Sequence, residues 1–102
     1  MDMEALLQAE EQERYEMLRN RDVLWRHFKG ELYKVSCVAH HTERKEDLVI
    51  YRKYDKKEKK LKSYIYARPL KIFLSPVDIE KYPDSTQVYR FEPEVMKNEL
   101  FF

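Results

Sequence analysis

His41 and Glu43 have the residue types and the spacing of an acid–base pair. They stand two positions apart, so in an extended chain both side chains fall on one face. A neighbouring carboxylate raises the pKa of a histidine toward the working pH of a general acid or base. The pair therefore predicts acid–base chemistry, with a surface pair satisfied by water as the alternative interpretation.

Arg26 and Arg68 are candidates for a different chemistry, because each stands near an aromatic residue, Trp25 or Tyr66. A guanidinium group offers two parallel donors to a carboxylate or phosphate and stacks on aromatic rings. The two arginines therefore predict a clamp for a planar anion. The alternative is that they are structural residues that tie strand ends together.

The predicted ligand-binding surface collects such residues from three separate segments of the chain. Its members are Trp25, Arg26, His27, His41, Glu43, Tyr66 and Arg68. Successive side chains of a strand point to opposite faces, so Arg26 and His27 cannot both face the ligand if one strand carries them. One of the two is then expected to serve the structure instead.

Metal sites, cofactors and nucleophilic catalysis are not predicted. Adjacent His40 and His41 would point to opposite faces of a strand, and a structural zinc site needs four ligands at tight spacing. Gly30 is the only glycine, whereas Walker loops, dinucleotide fingerprints and serine elbows each need at least two. Cys37 falls on the predicted buried face of its strand, so no nucleophile is marked. We therefore expect no metal and no cofactor.

The chain has 102 residues, one cysteine, and 20 Lys and Arg against 19 Asp and Glu, as expected for one small domain. Residues 21–75 carry 15 Lys and Arg against 7 Asp and Glu, while both ends are acidic. Such asymmetry favours an anionic partner, unless the ends neutralise the body within the same molecule. The sequence shows no membrane-spanning run and no signal peptide, which together with the lone cysteine predicts a cytoplasmic protein.

Residues 3–20 favour a helix, because they contain no glycine, proline or β-branched residue. The middle of this helix, Glu10 to Glu13, has no apolar side chain, so only its ends are expected to dock. The helix is therefore expected to be dispensable for the remaining fold. We divide the chain into a polar N-terminal helix (1–22), a small β domain (23–92) and a C-terminal tail (93–102).

A period of two replaces the helical pattern in the middle of the chain. Tyr33, Val35, Cys37 and Ala39 alternate with mostly polar residues, which predicts a half-buried strand with these odd residues in the core. The continuous apolar run 48–51 predicts a strand covered on both faces. The other predicted strands are residues 24–28, 64–67 and 88–91, with turns at Lys29-Gly30 and at 55–60.

One helical turn is predicted after Pro69, where Leu70, Phe73 and Leu74 are spaced i, i+3 and i+4. These elements predict a mainly β fold that is preceded by the N-terminal helix. Its form is expected to be a small SH3-like antiparallel barrel or a highly curved sheet, because closure removes exposed strand edges.

Eight tyrosines, five phenylalanines and one tryptophan exceed what one narrow core can hold. The residues predicted to fill the core are Phe28, Tyr33, Ile50, Leu70 and Phe73. The surplus aromatic residues are Trp25, Tyr51, Tyr54, Tyr64 and Tyr66. Some of them should reach the surface beside Arg26, Lys53 and Arg68. Aromatic faces interleaved with cations suit single-stranded nucleic acid or a cage for a cationic side chain.

Several short motifs follow one another in a recognisable order. They are WRHFKG (25–30), AHHTE (39–43), DLVIY (47–51), YARPL (66–70) and Arg90-Phe91. Over about residues 23–91 they resemble the small bacterial family catalogued as domain of unknown function 1653. The resemblance implies a small compact β domain and transfers no catalytic residue. The sequence departs from the family pattern at Tyr66, where tryptophan is usual, in the Lys-rich turn and in residues 1–20.

These features predict a binding module, rather than an enzyme, that recognises an anionic or extended ligand, with nucleic acid among the candidates. One alternative is a small enzyme that uses His41 and Glu43. Another is a protein–protein adaptor that acts through its terminal arms, residues 1–20 or 94–102. A concave pocket at His41 and Glu43 would favour chemistry, whereas a flat basic aromatic face would favour binding.

Overall fold

The computed structural model describes residues 3–95, with side chains from residue 10 to residue 94. Its elements in chain order are α1 (Met3–Met17), β1 (Val23–His27), β2 (Leu32–His41), β3 (Glu46–Asp55), β4 (Lys60–Leu61), β5 (Tyr66–Pro69), α2 (Leu70–Phe73) and β6 (Phe91–Val95). The predicted mainly β class, the N-terminal helix and the helical turn after Pro69 are confirmed. No helix within residues 3–95 is long and apolar enough to cross a membrane.

The strands form one antiparallel sheet in the order β4-β3-β2-β1-β6, and β5 pairs with β3 on the same edge as β4. Between residues 3 and 95 no pairing joins β5 to β6, so the sheet does not close. The SH3-like barrel is therefore not confirmed. Backbone hydrogen bonds between the segments 75–77 and 88–90 connect the chain after α2 to the chain before β6.

Both predicted turns are present. Gly30 follows β1 with a φ of 104°, a conformation that glycine adopts without steric cost. In the turn between β3 and β4, the carboxylate of Asp55 accepts hydrogen bonds from the backbone amides of Lys57 and Glu58 at 2.9 and 3.0 Å. Hydrogen bonding, with the Glu58 amide first, holds the pKa of Asp55 at about 2.

A bulge at Ser36 changes which residues of β2 face the core. Val35 and Cys37 pair with consecutive residues of β3, so Ser36 is the extra residue. One inserted residue inverts the alternation of side chains along a strand. After the bulge it is Val38 that packs on the core. The prediction that Cys37 and Ala39 face the core is therefore wrong, and Cys37 is exposed.

The core lies between the inner face of the sheet, α2 and the end of α1. Its buried members are Leu18, Val23, Trp25, Val49, Tyr51, Phe73, Leu74 and Phe91. Phe73 and Phe91 stack with ring centroids 4.1 Å apart, and Trp25 packs edge-on against Phe73 at 5.3 Å. Trp25 and Tyr51 are thus core residues and not surplus aromatics.

Other core predictions are corrected by burial. Phe73 is buried as predicted, whereas Phe28, Tyr33, Ile50 and Leu70 are only half-buried. In the run 48–51, alternate residues are buried and the others are half-buried, so β3 is fully covered on one face only. Alternation between a packed face and a wetter face is what an antiparallel sheet allows.

The last turn of α1 holds the helix against the core. Leu18, directly after α1, is only 3% exposed. The buried guanidinium of Arg14 donates a hydrogen bond to the carbonyl of Leu74 at 2.8 Å and lies 3.6 Å from the ring centroid of Tyr89. Docking of the C-terminal end of the helix is therefore confirmed, while the side chains of its first residues lie outside the described part of the chain.

The N-terminal helix and the residues after 92 both contact the predicted β domain. α1 contributes to the same core as the sheet, and β6 continues past residue 92 to Val95. Pro93 is compatible with this strand because β6 lies at the edge of the sheet, where a missing N–H removes no ladder bond. Most of the predicted tail, residues 96–102, lies outside the described residues.

Candidate anion-binding site

Strand register brings rings from five strands together on the inner face of the sheet. His27 stands opposite Phe91 across β1 and β6, and Tyr51 stands opposite Tyr66 across β3 and β5. Tyr33 on β2 lies between them, with its ring centroid 6.4 Å from His27 and 5.4 Å from Tyr51. With the arginines beside them, we call this set the inner-face cluster: His27, Tyr33, Tyr51, Tyr66, Arg68, Arg90 and Phe91.

The two arginines of the cluster are positioned by the sheet and by its neighbours. Arg68 lies on β5 two residues from Tyr66, and its guanidinium carbon is 5.4 Å from the ring centroid of Phe91. Arg90 immediately precedes β6, and its side chain donates a hydrogen bond to the hydroxyl of Ser75 at 3.4 Å. The positive charges of both arginines oppose protonation of His27, and the effect of Arg68 is the larger.

Among the residues whose side chains are described, no carboxylate pairs with either arginine. Of the ion pairs that the described residues form, none includes Arg68 or Arg90. Glu31 also acts on His27, but its carboxylate binds the ammonium of Lys53 at 2.6 Å. The hydroxyl of Tyr33 also donates a hydrogen bond to Glu31 at 3.4 Å, so the excess positive charge of the cluster is that of Arg68 and Arg90.

The remaining polar groups of the cluster are neutral hydrogen-bond donors. Burial, followed by the charge of Arg68, lowers the pKa of His27 below 6.5. Its Nδ1 accepts a hydrogen bond from the backbone amide of Lys29 at 3.1 Å, which leaves the proton of the neutral ring on Nε2. Burial raises the pKa of Tyr33 to about 12 and also raises the pKa of Tyr51, against the opposing charge of Arg68.

The part of the chain that contains the inner-face cluster matches a known protein family. The profile of the family described as Protein of unknown function (DUF1653) matches residues 23–93. The chain belongs to the DUF1653 family. The matched range begins with β1 and contains the whole inner-face cluster, whereas α1 precedes it. No curated protein and no solved structure is significantly similar to the chain.

Two of the residues predicted for the ligand surface lie outside the inner-face cluster of this DUF1653 chain. Trp25 is 0% exposed, so it cannot contact a ligand at the surface. Arg26 forms an ion pair with Glu94, which joins the basic body to the acidic end of the chain. His27 faces the cluster while Arg26 does not, as the alternation of side chains along one strand requires.

His41 and Glu43 lie apart from the cluster and do not pair with each other. Nδ1 of His41 accepts a hydrogen bond from the backbone amide of Arg44 at 3.1 Å. Glu43 is exposed in the same turn, and among the described residues no ion pair joins it to His41. The histidine that does pair is His40, whose Nδ1 lies 2.9 Å from a carboxylate oxygen of Asp47.

Four members of the cluster, and the pair of His40 with Asp47, do not follow from the sequence. Spacing predicts a core position for Tyr33 and a place among the surplus aromatics for Tyr51, while Arg90 and Phe91 stand in a family motif. All of these contacts arise from strand register, since Asp47 is the cross-strand partner of His40. The period-two pattern indicates which residues share a face of one strand, but it does not say which residues of two strands stand opposite.

Grooves lie along α1. One is lined by Glu10, Arg14, Met17, Tyr89 and Pro93, among others. The grooves described along this helix contain none of the predicted ligand-binding residues. Within the described part of the chain, no three His, Cys, Asp or Glu side chains are grouped as metal ligands.

Proposed function

We propose that this DUF1653 protein is a binding module for an anionic ligand, which Arg68 and Arg90 hold in the inner-face cluster. The observation that carries the proposal is that the Arg68 guanidinium lies 5.4 Å from the ring centroid of Phe91, which stands beside Arg90 in the chain, and that neither arginine has a carboxylate partner among the described residues. Like charges in a partly buried region repel each other, and an anion removes that repulsion.

The donor geometry supports an oxyanion as the ligand. A guanidinium group forms two parallel hydrogen bonds to a carboxylate or phosphate. Nε2 of His27 and the protonated hydroxyl of Tyr51 add neutral donors beside these charges. The excess of Lys and Arg in residues 21–75 attracts such a ligand from solution.

The two alternatives have less support. A small enzyme with His41 and Glu43 as its acid–base pair needs a contact that the described structure does not form. An adaptor would act through residues 1–20 or 94–102. Residues 96–102 lie outside the described part of the chain, and the last turn of α1 already packs against the core. The cytoplasmic location stays a prediction.

Replacing Arg68 by alanine tests the proposal directly. We expect the affinity for inorganic pyrophosphate to fall by the roughly 1.5–3 kcal/mol of a charged hydrogen bond, as measured by amide shifts in a titration followed by NMR. Arg68→Lys should recover only part of the loss, because an ammonium group cannot form the forked pair of bonds.

Arg44→Ala is the matched control, since it removes the same charge from the exposed turn between β2 and β3. An equal loss of affinity in the Arg44 and Arg68 variants would contradict the proposal. So would shift changes confined to residues 56–60.

His27 should couple ligand binding to pH. A bound anion offsets the arginine charges that, after burial, keep its pKa below 6.5, so binding favours uptake of a proton. We expect the affinity for sulfate, whose own charge is constant in this range, to rise as the pH falls below 6.5. Calorimetric titrations at several pH values measure this slope, and a His27→Gln variant with the same slope as the unmodified protein would contradict it.

The same pKa shift has the opposite effect on stability in the free protein. Because the folded-state pKa is the lower one, the unfolded state binds more protons as the pH falls. The contribution of His27 to stability is therefore present above pH 6.5 and is lost as the pH falls through the lowered pKa.

A further inference from the structure

An exposed aromatic segment borders the inner-face cluster. Tyr64 is 75% exposed, and its neighbours Ile65 and Tyr66 are 67% and 41% exposed. Soluble proteins rarely expose large contiguous apolar areas unless these bind something. The other large exposed apolar side chains, Ile72, Ile79 and Val88, are not consecutive in the chain.

The tyrosine rings form a series that leads from solvent to the arginines. The centroids of Tyr64 and Tyr66 are 6.4 Å apart, with their planes inclined by 33°. Tyr66 and Tyr51 follow at 5.5 Å and 31°, and the charge of Arg68 acts on Tyr51. The series thus leads from exposed aromatic faces to Arg68, which has no ion-pair partner among the described side chains.

We propose that the ligand is single-stranded nucleic acid, with unpaired bases stacked on Tyr64 and Tyr66 and the backbone phosphates at Arg68 and Arg90. This inference rests on the proposed anion-binding function and names its ligand class. Bases stack on aromatic side chains only when they are free of a duplex. The combination of stacking rings and a positive track is how sequence-tolerant single-strand binders work.

The charges around the tyrosines indicate on which side of the rings the phosphates of the nucleic acid lie. Lys62, on the other side of Tyr64, already pairs with Asp55 at 3.3 Å and with Glu58 at 3.4 Å. Its ammonium is therefore largely neutralised, in contrast to Arg68. The phosphates are placed on the Arg68 side of the rings, where the potential is positive. An acidic peptide would satisfy the arginines but has no need of two exposed rings.

The test compares an oligonucleotide with the same backbone lacking bases. The 102-residue chain is titrated into a fluorescein-labelled oligothymidylate of about 12 nucleotides, a length within the usual site size of single-strand binding domains. The titration is repeated with a labelled abasic oligomer of equal length. We expect the oligothymidylate to bind more tightly. Tyr64→Ala should weaken it by about 5- to 150-fold, the stacking of one base, whereas Tyr64→Phe retains the ring and the affinity.

Ile79→Ala is the matched control, because it truncates another side chain of similar exposure (68%) in a different segment. Tyr64→Ala should leave pyrophosphate binding unchanged, while Arg68→Ala weakens both ligands. If pyrophosphate binds but the two oligomers bind equally, the nucleic-acid inference is overturned and the anion site stands. If no anion binds, both fail.

Sedimentation equilibrium tests whether the exposed rings of Tyr64 and Tyr66 serve self-association instead of nucleic-acid binding. If the protein self-associates and Tyr64→Ala abolishes the association without changing oligothymidylate binding, the segment is an interface between two copies of this chain. That result overturns the nucleic-acid inference. A monomer whose oligothymidylate affinity depends on Tyr64 supports it.

Discussion

The free energy of unfolding should fall by about 3–5 kcal/mol when Trp25 is replaced by alanine, as for other buried aromatic residues. Trp25 is 0% exposed and packs against Phe73 with ring centroids 5.3 Å apart. Small domains are stabilised by only about 5–15 kcal/mol in total, so much of the variant should be unfolded at physiological temperature. Urea titration followed by circular dichroism measures the loss, since the variant has no tryptophan left.

Two further variants make this result specific. Tyr64→Ala removes an exposed ring and should change the stability by no more than about 0.5 kcal/mol. Trp25→Phe keeps an aromatic ring and removes an indole N–H that has no hydrogen-bond partner, so it should cost less than alanine. If Trp25→Ala proved as stable as Tyr64→Ala, Trp25 would return to the ligand surface on which the sequence analysis placed it.

Leu18→Ala should lower the free energy of unfolding by about 2–5 kcal/mol, the range for buried leucines. Leu18 belongs to the same buried cluster as Trp25 and Phe91. A chain that begins at residue 20 should lose more, because it also lacks the hydrogen bond from Arg14 to Leu74. Thermal denaturation of the three proteins measures both effects.

The exposed neighbour Arg19 supplies the control, since Arg19→Ala should leave the unfolding midpoint nearly unchanged. The expectation from sequence that the helix is dispensable is the competing prediction. It would be upheld if the chain beginning at residue 20 unfolded at the same midpoint as the full-length protein.

The candidate site is built directly on the core. The ring of Phe91 stacks on Phe73, and the guanidinium carbon of Arg68 lies 5.4 Å from its centroid. A side chain that is held against packed aromatic residues loses little conformational freedom when a ligand binds to it, which favours affinity. The site and the stability of the sheet therefore share residues, and binding experiments on core variants need a folding control.

Local patterns predicted several elements, but the strand predicted at 64–67 is Tyr66–Pro69, and the one predicted at 88–91 is Phe91–Val95. The alternation of apolar and polar residues indicated β2. The predicted turns at Lys29-Gly30 and at 55–60 are present, where Gly30 and Asp55 shape the backbone. Pro69 marked the start of α2. Each of these depends on neighbours within a few residues, which the sequence shows directly. The single wrong phase, at Cys37, came from a bulge that no local signal marks.

The sequence by itself determined the mainly β class, the family, the basic middle of the chain and the presence of more tyrosines than the core needs. It also singled out His27, Tyr66 and Arg68, which the structure brings together. Only the tertiary structure decided that Trp25 is buried and that Arg90 joins the site. Periodicity assigns a side chain to a face of its own strand, whereas register and the bulge, set by packing between distant segments, decide which faces meet.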